Sequence, residues 1–299
     1  MTPLPIHDIL PELRSALARH PAVVLAAPPG SGKTTVVPPA LLDESWLHGQ
    51  KILMLEPRRL AARLIATYMA SQRGEPVGQT IGYRVRFEQQ VSAATRLEVV
   101  TAGLFIRRLQ EEPDLAGFGL VIFDEFHERS LDADLALALC LDAAQLREDL
   151  KLLVMSATLD TAQVSRLLGN APVVEAHGRS YPVGITALPP PAAFPPDPTP
   201  RQIAEQMASA VTKALREQQG DLLAFLPGTA EIVRTGELLA ATPEAAKFAI
   251  LPLHGDLALA AQSQAVAPDP KGRRRVILAT PIAETSLTIE GISTVLDSG

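Results

Sequence analysis

Ala27-Pro-Pro-Gly-Ser-Gly-Lys-Thr-Thr35 is the stretch on which the reading of this chain turns. It follows the apolar run Val23-Val-Leu-Ala-Ala27 and leads into a helix-compatible run from Thr34 to Leu42. Strand, glycine turn, helix is the setting in which such a turn cradles an anion. Gly30 and Gly32 open backbone conformations closed to other residues, so neighbouring N–H groups can converge on a phosphate. The helix start adds partial positive charge, and Lys33 adds a point charge for the outer phosphates. Thr34 offers a hydroxyl to a magnesium ion. Pro29, Gly30, Ser31, Gly32, Lys33, Thr34 and Thr35 are therefore the expected nucleotide-binding residues. The full spacing asks for one more glycine at position 27, where this chain has alanine. Alanine serves there if its φ stays negative. A glycine-rich hairpin turn would use the same glycines; the flanking strand and helix favour phosphate binding over it.

A second signal lies downstream. Leu120-Val-Ile-Phe123 reads as a buried strand and ends in Asp124-Glu-Phe-His127. One carboxylate at that place can hold a magnesium shell while its neighbour orients and deprotonates a water. Asp124 is expected to take the metal with Thr34, and Glu125 the water. A polar pair at a strand end is common, and it is the phosphate turn upstream that shifts the reading to catalysis. His127 reads as a hydrogen-bonding relay, since no second histidine sits at ligand spacing. Ser156-Ala-Thr158 follows another apolar run, Leu152–Met155. Its hydroxyls suit either a helix N-cap before Leu159 or a link between the terminal phosphate and the acidic loop.

Composition narrows the class. Of 299 residues, 47% are hydrophobic and 20% charged, as in ordinary globular proteins, and the length allows two domains. The single cysteine, Cys140, cannot form an internal disulfide, and its apolar neighbours place it inside a helix, so a reducing cytoplasm is expected. The first residues lack the basic start and apolar core of a signal peptide, and no apolar run approaches a bilayer span, so no membrane is expected. A net charge of −6 argues against bulk polyanion binding, so any nucleic-acid contact must be local. Arg58-Arg59, Arg84 with Arg86, Arg107-Arg108 and Arg273-Arg-Arg275 are the basic spots. Each taken alone is as well explained by solvated charge. With 4% aromatic residues, base stacking is not expected to be the main mode of contact.

Apolar runs at Val23–Ala27, Ile52–Leu55, Leu97–Val100, Leu120–Phe123 and Leu152–Met155 alternate with helical patterns such as Leu60–Ala70 and Leu131–Leu146. Strands apolar on both faces and separated by helices predict a parallel sheet covered on both sides. Ligands on such sheets sit at the carboxyl ends of the strands. The phosphate turn, Asp124 and Ser156 each follow a strand, so they should gather along one edge. The proline-rich segment Ala187-Leu-Pro-Pro-Pro-Ala-Ala-Phe-Pro-Pro-Asp-Pro-Thr-Pro200 breaks this rhythm and reads as an exposed connection. Beyond it follow a helix over Gln202–Gln218, a strand at Leu222–Leu226, a helix near Glu231–Ala240 and strands at Ala249–Leu253 and Val276–Ala279. The expected division is residues 1–178 and 179–299, both α/β, the second without a phosphate turn.

The motifs Glu56-Pro-Arg-Arg-Leu-Ala-Ala, Gly82-Tyr-Arg-Val-Arg-Phe-Glu88, Thr101-Ala-Gly-Leu, Asp124-Glu-Phe-His127, Ser156-Ala-Thr158, Phe225-Leu-Pro-Gly and Ala283-Glu-Thr-Ser-Leu-Thr288 stand in this order. In that order they resemble the DEAH-box helicases of superfamily 2, among them the bacterial HrpB type. The resemblance covers nearly the whole chain. It implies two RecA-like parallel-sheet domains in tandem, ATP and Mg2+ as cofactors, and single-stranded nucleic acid, RNA rather than DNA, as partner. It gives Lys33 and Thr34 to phosphates and magnesium, Asp124 to magnesium, and Glu125 to water activation. It gives Arg58, Arg59, Arg86, Thr101, Ser156, Thr158, Thr280, Thr285, Ser286 and Thr288 to the strand or to coupling. No residue here visibly reads a 2′-hydroxyl, so the preference for RNA rests on the resemblance.

Several positions depart from the family pattern. Phe126 replaces the alanine of the acidic motif and is expected to alter packing more than catalysis. Pro281 stands where many relatives carry asparagine. Tyr68 and Val266 fall where relatives stack the adenine between arginine and phenylalanine, so loose selectivity among nucleoside triphosphates is expected. The family's arginine-finger motif would follow Gly299, so the second domain is expected to be incomplete and this stretch to bind nucleotide but hydrolyse it poorly. Two other readings stay open: a phosphotransferase with the same phosphate turn and no nucleic-acid substrate, and a nucleotide-binding scaffold.

Overall fold

The computed structural model describes residues 4–157, 161–178, 182–188, 195, 197–283 and 289–299. The chain divides into two compact units, Met1–Tyr181 and Pro182–Gly299. In the first, helices α1 (Ile6–Arg19), α2 (Lys33–Ala40), α3 (Arg59–Gln72), α4 (Ala102–Glu111), α5 (Leu131–Leu146) and α6 (Thr161–Leu167) interleave with strands. These are β1 (Ala22–Ala26), β2 (Lys51–Leu55), β3 (Ile81–Val85), β4 (Glu88–Gln90), β5 (Leu97–Val100), β6 (Phe118–Phe123), β7 (Lys151–Ser156) and β8 (Val173–Glu175). They form one sheet in the order β4-β3-β5-β2-β6-β7-β1-β8, parallel throughout except for the edge hairpin β3–β4.

The apolar runs become central strands because each must bury both faces. Successive side chains on a strand point to opposite sides. Val23, Leu25, Ile52, Met54, Leu120, Ile122, Leu153 and Met155 accordingly enter one core, against α1, α2 and α3. Their alternates Val24, Leu53, Leu55, Val121, Phe123, Leu152 and Val154 enter a second core with α4, α5 and α6. Cys140 lies in that second core, fully buried on α5. Phe126 joins it too, edge-on to Phe123 at 6.2 Å between ring centres, which is where the bulk of this unusual residue goes.

The second unit contains α7 (Pro200–Glu217), α8 (Thr229–Ala240) and α9 (Leu259–Val266), with β9 (Asp221–Phe225), β10 (Phe248–Leu253), β11 (Arg274–Ala279) and β12 (Ile292–Asp297). Its sheet runs β10-β11-β9-β12, parallel at every pairing. Met207 and Val211 of α7 and Ile232 and Leu239 of α8 pack on Leu222, Ala224, Val276 and Leu278. Helix α7 begins where the proline run ends. Thr199 accepts from the Gln202 N–H, the Gln202 side chain reaches back to the Thr199 N–H, and Pro200 fills the first turn. This reciprocal cap satisfies two otherwise orphaned donors. Half of the proline-rich segment, like Thr158, Thr285, Ser286 and Thr288, lies outside the described residues.

Gly82 sits in β3 where the β4 backbone passes at close range. A Cβ there would collide with the Gln90 carbonyl oxygen and lie 2.9 Å from Val91 Cγ1. The expected result of Gly82→Ala is a loss of about 1–3 kcal/mol, because backbone cannot yield as a flexible side chain can. Chemical denaturation of the two proteins measures it, and an unchanged midpoint would mean the hairpin is not held as tightly as it is drawn.

Candidate active site

All the strands that carry site residues are parallel, so the loops after β1, β7, β6, β2, β5 and β3 emerge at one edge of the first sheet. The glycine turn after β1 is built by its neighbours. The Ala27 N–H donates to Ser156 O at 2.9 Å, tying it to the end of β7. The Ile6 N–H donates to Ser31 O at 3.2 Å, tying it to α1. Gly30 and Gly32 take φ of 73° and 93°, which is the conformational licence that glycine supplies. Ala27 keeps a negative φ and is buried, so the alanine at the first position costs the turn nothing. Gly32 caps α2, whose first N–H groups have no acceptor within the helix and point out of its N-terminus toward the loop.

Lys33 and Glu125 meet at this edge. Lys33 Nζ is 3.0 Å from Glu125 Oε1, with side chains only 5% and 9% exposed. Two charges so nearly dry are strongly coupled, and both face a shared point. Glu125 reaches it through an unusual backbone. Its φ is 48°, in the left-handed region, as β6 turns into the short 3-10 turn Phe126–Glu128. Such a conformation costs a non-glycine residue on the order of 1–3 kcal/mol and persists where the surroundings enforce it. The Glu125 N–H donates to Asp124 Oδ1 at 2.9 Å.

Asp124 is buried, and its carboxyl is held above the usual carboxylate range. Burial is the first cause and the charge of Glu125 the second, opposed by Lys33 and by the Thr34 hydroxyl. Its Oδ2 is buried with no hydrogen-bond partner among the described residues, as is Ser31 Oγ. A carboxylate oxygen left unsatisfied beside a threonine hydroxyl and a buried ammonium is what a hard cation and its phosphate ligands would satisfy. Among the described residues no group of three or more His, Cys, Asp or Glu side chains could hold a metal. One carboxylate and one hydroxyl, completed by phosphate oxygens and waters, is how Mg2+ is commonly held. The residues present fit that ion, which Asp124 and Thr34 would hold.

His127 bridges two loops. Its Nδ1 lies 3.3 Å from Glu125 Oε2 and 3.5 Å from the Ala157 N–H. The ring can donate to the first or accept from the second, so it links the acidic loop to the end of β7. Ser156 itself is fully buried as the last residue of β7.

The expected nucleic-acid residues are less uniform. Arg59 is exposed at the start of α3, and Arg86 is exposed in the β3–β4 turn. Arg58 instead has its Nη2 3.5 Å from Glu128 Oε2, joining the Glu56-Pro-Arg-Arg loop to the acidic one. Thr101 stands at the N-cap position of α4 without a side-chain capping bond, and at 9% exposed it offers little surface to a strand as it stands. Thr280 follows β11 in the second unit, its N–H donating to Leu253 O.

Two residues escaped the sequence reading. Glu128 follows the acidic motif directly and had no signal of its own. Glu98 did have one, a carboxylate inside the apolar strand Leu97-Glu-Val-Val100. It is 3% exposed and binds Arg84 Nε and Arg108 Nη1 at 3.1 Å each. Buried charges need such partners, and here the pairing aims two arginines at one cleft.

Comparison with known proteins places this geometry. The family described as DEAD/DEAH box helicase matches residues 10–167, and the helicase conserved C-terminal domain matches residues 205–299. The chain belongs to the DEAD/DEAH-box helicase family. It is 50% identical to the ATP-dependent RNA helicase HrpB of Escherichia coli over 99% of this chain and 36% of that protein. It is 37% identical to the ATP-dependent RNA helicase HrpA of Borreliella burgdorferi, again over 99% of this chain and 36% of that one. The crystal structure of the E. coli DEAH/RHA helicase HrpB superposes with a TM-score of 0.86, covering 98% of this chain and 36% of that one. The chain therefore spans about a third of the length of these relatives. Its two parallel-sheet units are the tandem RecA-like domains of this helicase family. Among the described residues, no helix is long and apolar enough to cross a membrane.

Proposed function

We propose that this protein is a nucleic-acid-dependent nucleoside triphosphatase of the helicase type, coupling hydrolysis of ATP to movement along, or remodelling of, single-stranded RNA. The observation that carries the proposal is the 3.0 Å approach of Lys33 Nζ to Glu125 Oε1 beside Asp124 and the glycine turn. The turn from Pro29 to Thr35 binds the phosphates, with Lys33 neutralising the outermost. Bound Mg2+, held by Asp124 and Thr34, would neutralise charge on the phosphate oxygens. Glu125 orients a water and takes its proton, while His127 carries the state of Glu125 to the Ser156–Ala157 turn. Arg59 and Arg86 contact the strand's phosphates at the same sheet edge. That the relatives are RNA helicases by name, together with the order of the helicase motifs, supports RNA over DNA. The buried, solitary Cys140 suits work in the cytoplasm.

The test is Mg2+-dependent ATP hydrolysis with and without single strands. The expected result is a rate raised by single-stranded RNA and less, or not at all, by DNA of the same sequence. A rate indifferent to every single strand would favour a phosphotransferase or a nucleotide-binding scaffold instead.

A further inference from the structure

Packing and catalysis are not separate at Phe126. It stands between Glu125 and His127, and of residues 125–129 it is the one whose side chain enters the second core. Both ends of that turn are strained. Glu125 takes φ of 48° and Arg129 takes φ of 49°, and neither is glycine. Left-handed backbone at two such residues persists only where the surroundings enforce it. Three backbone bonds help: the Asp124 N–H donates to Leu55 O, the Glu128 N–H to Glu125 O and the Arg129 N–H to Phe126 O. These bonds tie the turn to itself and to β2. The Phe126 ring anchors it in the core.

That ring is itself fixed by its neighbours. Phe123 on β6 meets it edge-on, 6.2 Å between centres at 82°, and Phe105 on α4 meets Phe123 in the same way, 6.1 Å at 76°. Edge-to-face pairs have a preferred geometry, so no ring in this file shifts without the next. The Arg129 guanidinium lies 5.5 Å from the Phe126 ring centre, and both oxygens of Asp134 hold it, at 3.1 and 3.0 Å. Ala102 at the start of α4 and Ala133 at the start of α5 line the same narrow crevice as Phe126. Small side chains at those two places leave the room that the ring takes. Alanine at position 126 would therefore leave a void behind Glu125. At its other end the file stops at Phe105, whose N–H donates to Thr101 O at 3.0 Å.

We propose that Phe126 is a positioning residue for Glu125: its ring, backed by Phe123 and Phe105, holds the carboxylate where it can take the proton of the attacking water. This rests on the reading of Glu125 as the base. It gives the phenylalanine at this place, where the family pattern has alanine, a part in the reaction as well as in the core.

The experiment is single-turnover ATP hydrolysis with Mg2+, read beside ATP affinity and melting temperature, in the native protein, Phe126→Ala, Glu125→Gln and the double variant. Phe126→Ala should hydrolyse about tenfold to a hundredfold more slowly, since a misplacement of about 1 Å costs on the order of 10²-fold. Its ATP affinity should be unchanged, because the phosphate turn is built on other elements. In the Glu125→Gln background the same change should lower the residual rate no further, since a residue that acts through the base has nothing left to act on. Leu150→Ala cuts the same core just ahead of β7, at the end of that strand away from Ser156. It should lower the melting temperature and leave the rate alone, which sets positioning apart from a loosened core. Phe126→Leu refills most of the void, should lose only part of the rate, and carries the same comparison if Phe126→Ala fails to fold. A native rate in Phe126→Ala (or in Phe126→Leu, where that variant stands in), an equal fall in both backgrounds, or an equal fall in Leu150→Ala would overturn the proposal. A native rate in Glu125→Gln is a different result: it would strike the assignment of the base, and the proposal with it.

Discussion

Replacing Glu125 by glutamine is expected to leave ATP bound and unhydrolysed. A general base contributes about 10²–10⁴-fold to such a reaction, and the loss in turnover should fall in that range. The amide keeps the shape of the carboxylate but cannot accept the water's proton. The fold should survive, because Lys33 retains the charge of Asp124, which acts on the same site. Lys33→Ala should behave differently. It removes the point charge from the phosphate site, leaves Glu125 and Asp124 as a buried like-charge pair, and should abolish nucleotide affinity along with turnover. Calorimetric ATP binding and single-turnover hydrolysis distinguish the two. If Glu125→Gln hydrolyses at the native rate, the acidic loop is not the base and the assignment of roles in the first unit is wrong.

A second large effect is expected in the second unit. Arg275 on β11 is 2% exposed and acts as a clasp for the second unit. Its Nε and Nη2 meet Asp221 Oδ2 at 2.7 Å, its Nη1 donates to the Val266 and Ala267 carbonyls at 2.9 and 2.8 Å, and its Nη2 also meets Glu290 O. One side chain thereby ties the end of α9, the start of β9 and the approach to β12. Arg275→Met would strand Asp221 and leave three carbonyls without this donor. Breaking a buried pair from one side costs about 3–5 kcal/mol. The melting temperature of the second unit should fall by more than about 10 °C. Arg275→Lys should recover only part, since an ammonium cannot reproduce the planar fork. The combined change Arg275→Met with Asp221→Leu should do better than Arg275→Met alone, because no charge is left unpaired. Unfolding followed by circular dichroism reads all three, and a shift of a degree or two would show that the clasp is incidental.

Much of the first sheet was legible because its central strands are almost wholly apolar. Ile52–Leu55, Leu97–Val100, Leu120–Phe123 and Leu152–Met155 each became a strand, and Leu131–Leu146 became α5 with the expected bounds. Elements that depend on their neighbours were not legible. β4 is Glu-Gln-Gln, polar and short, and is a strand only because β3 lies beside it. α1 starts beside Pro5 and contains Pro11, a poor helical signature, yet it forms because Ile6, Leu10, Leu13 and Leu17 have a sheet to cover. In the site, the phosphate turn and the acidic pair were plain from residue type and order. The left-handed Glu125, the Glu98 hub and the ring file behind Phe126 were not, because each is a statement about backbone angle or burial.

Local chemistry in the chain itself determined which residues bear charge, which turns need glycine and which runs must hide from water. Those constraints act over a few residues and survive in any order-preserving reading. Tertiary structure alone decided that Lys33 and Glu125, 92 positions apart, share one point in space. It also decided that Glu98 aims two arginines at one cleft and that Phe126 sits against Phe123. Side chains distant in sequence meet only through the register of parallel strands, and that register is set by two cores closing at once.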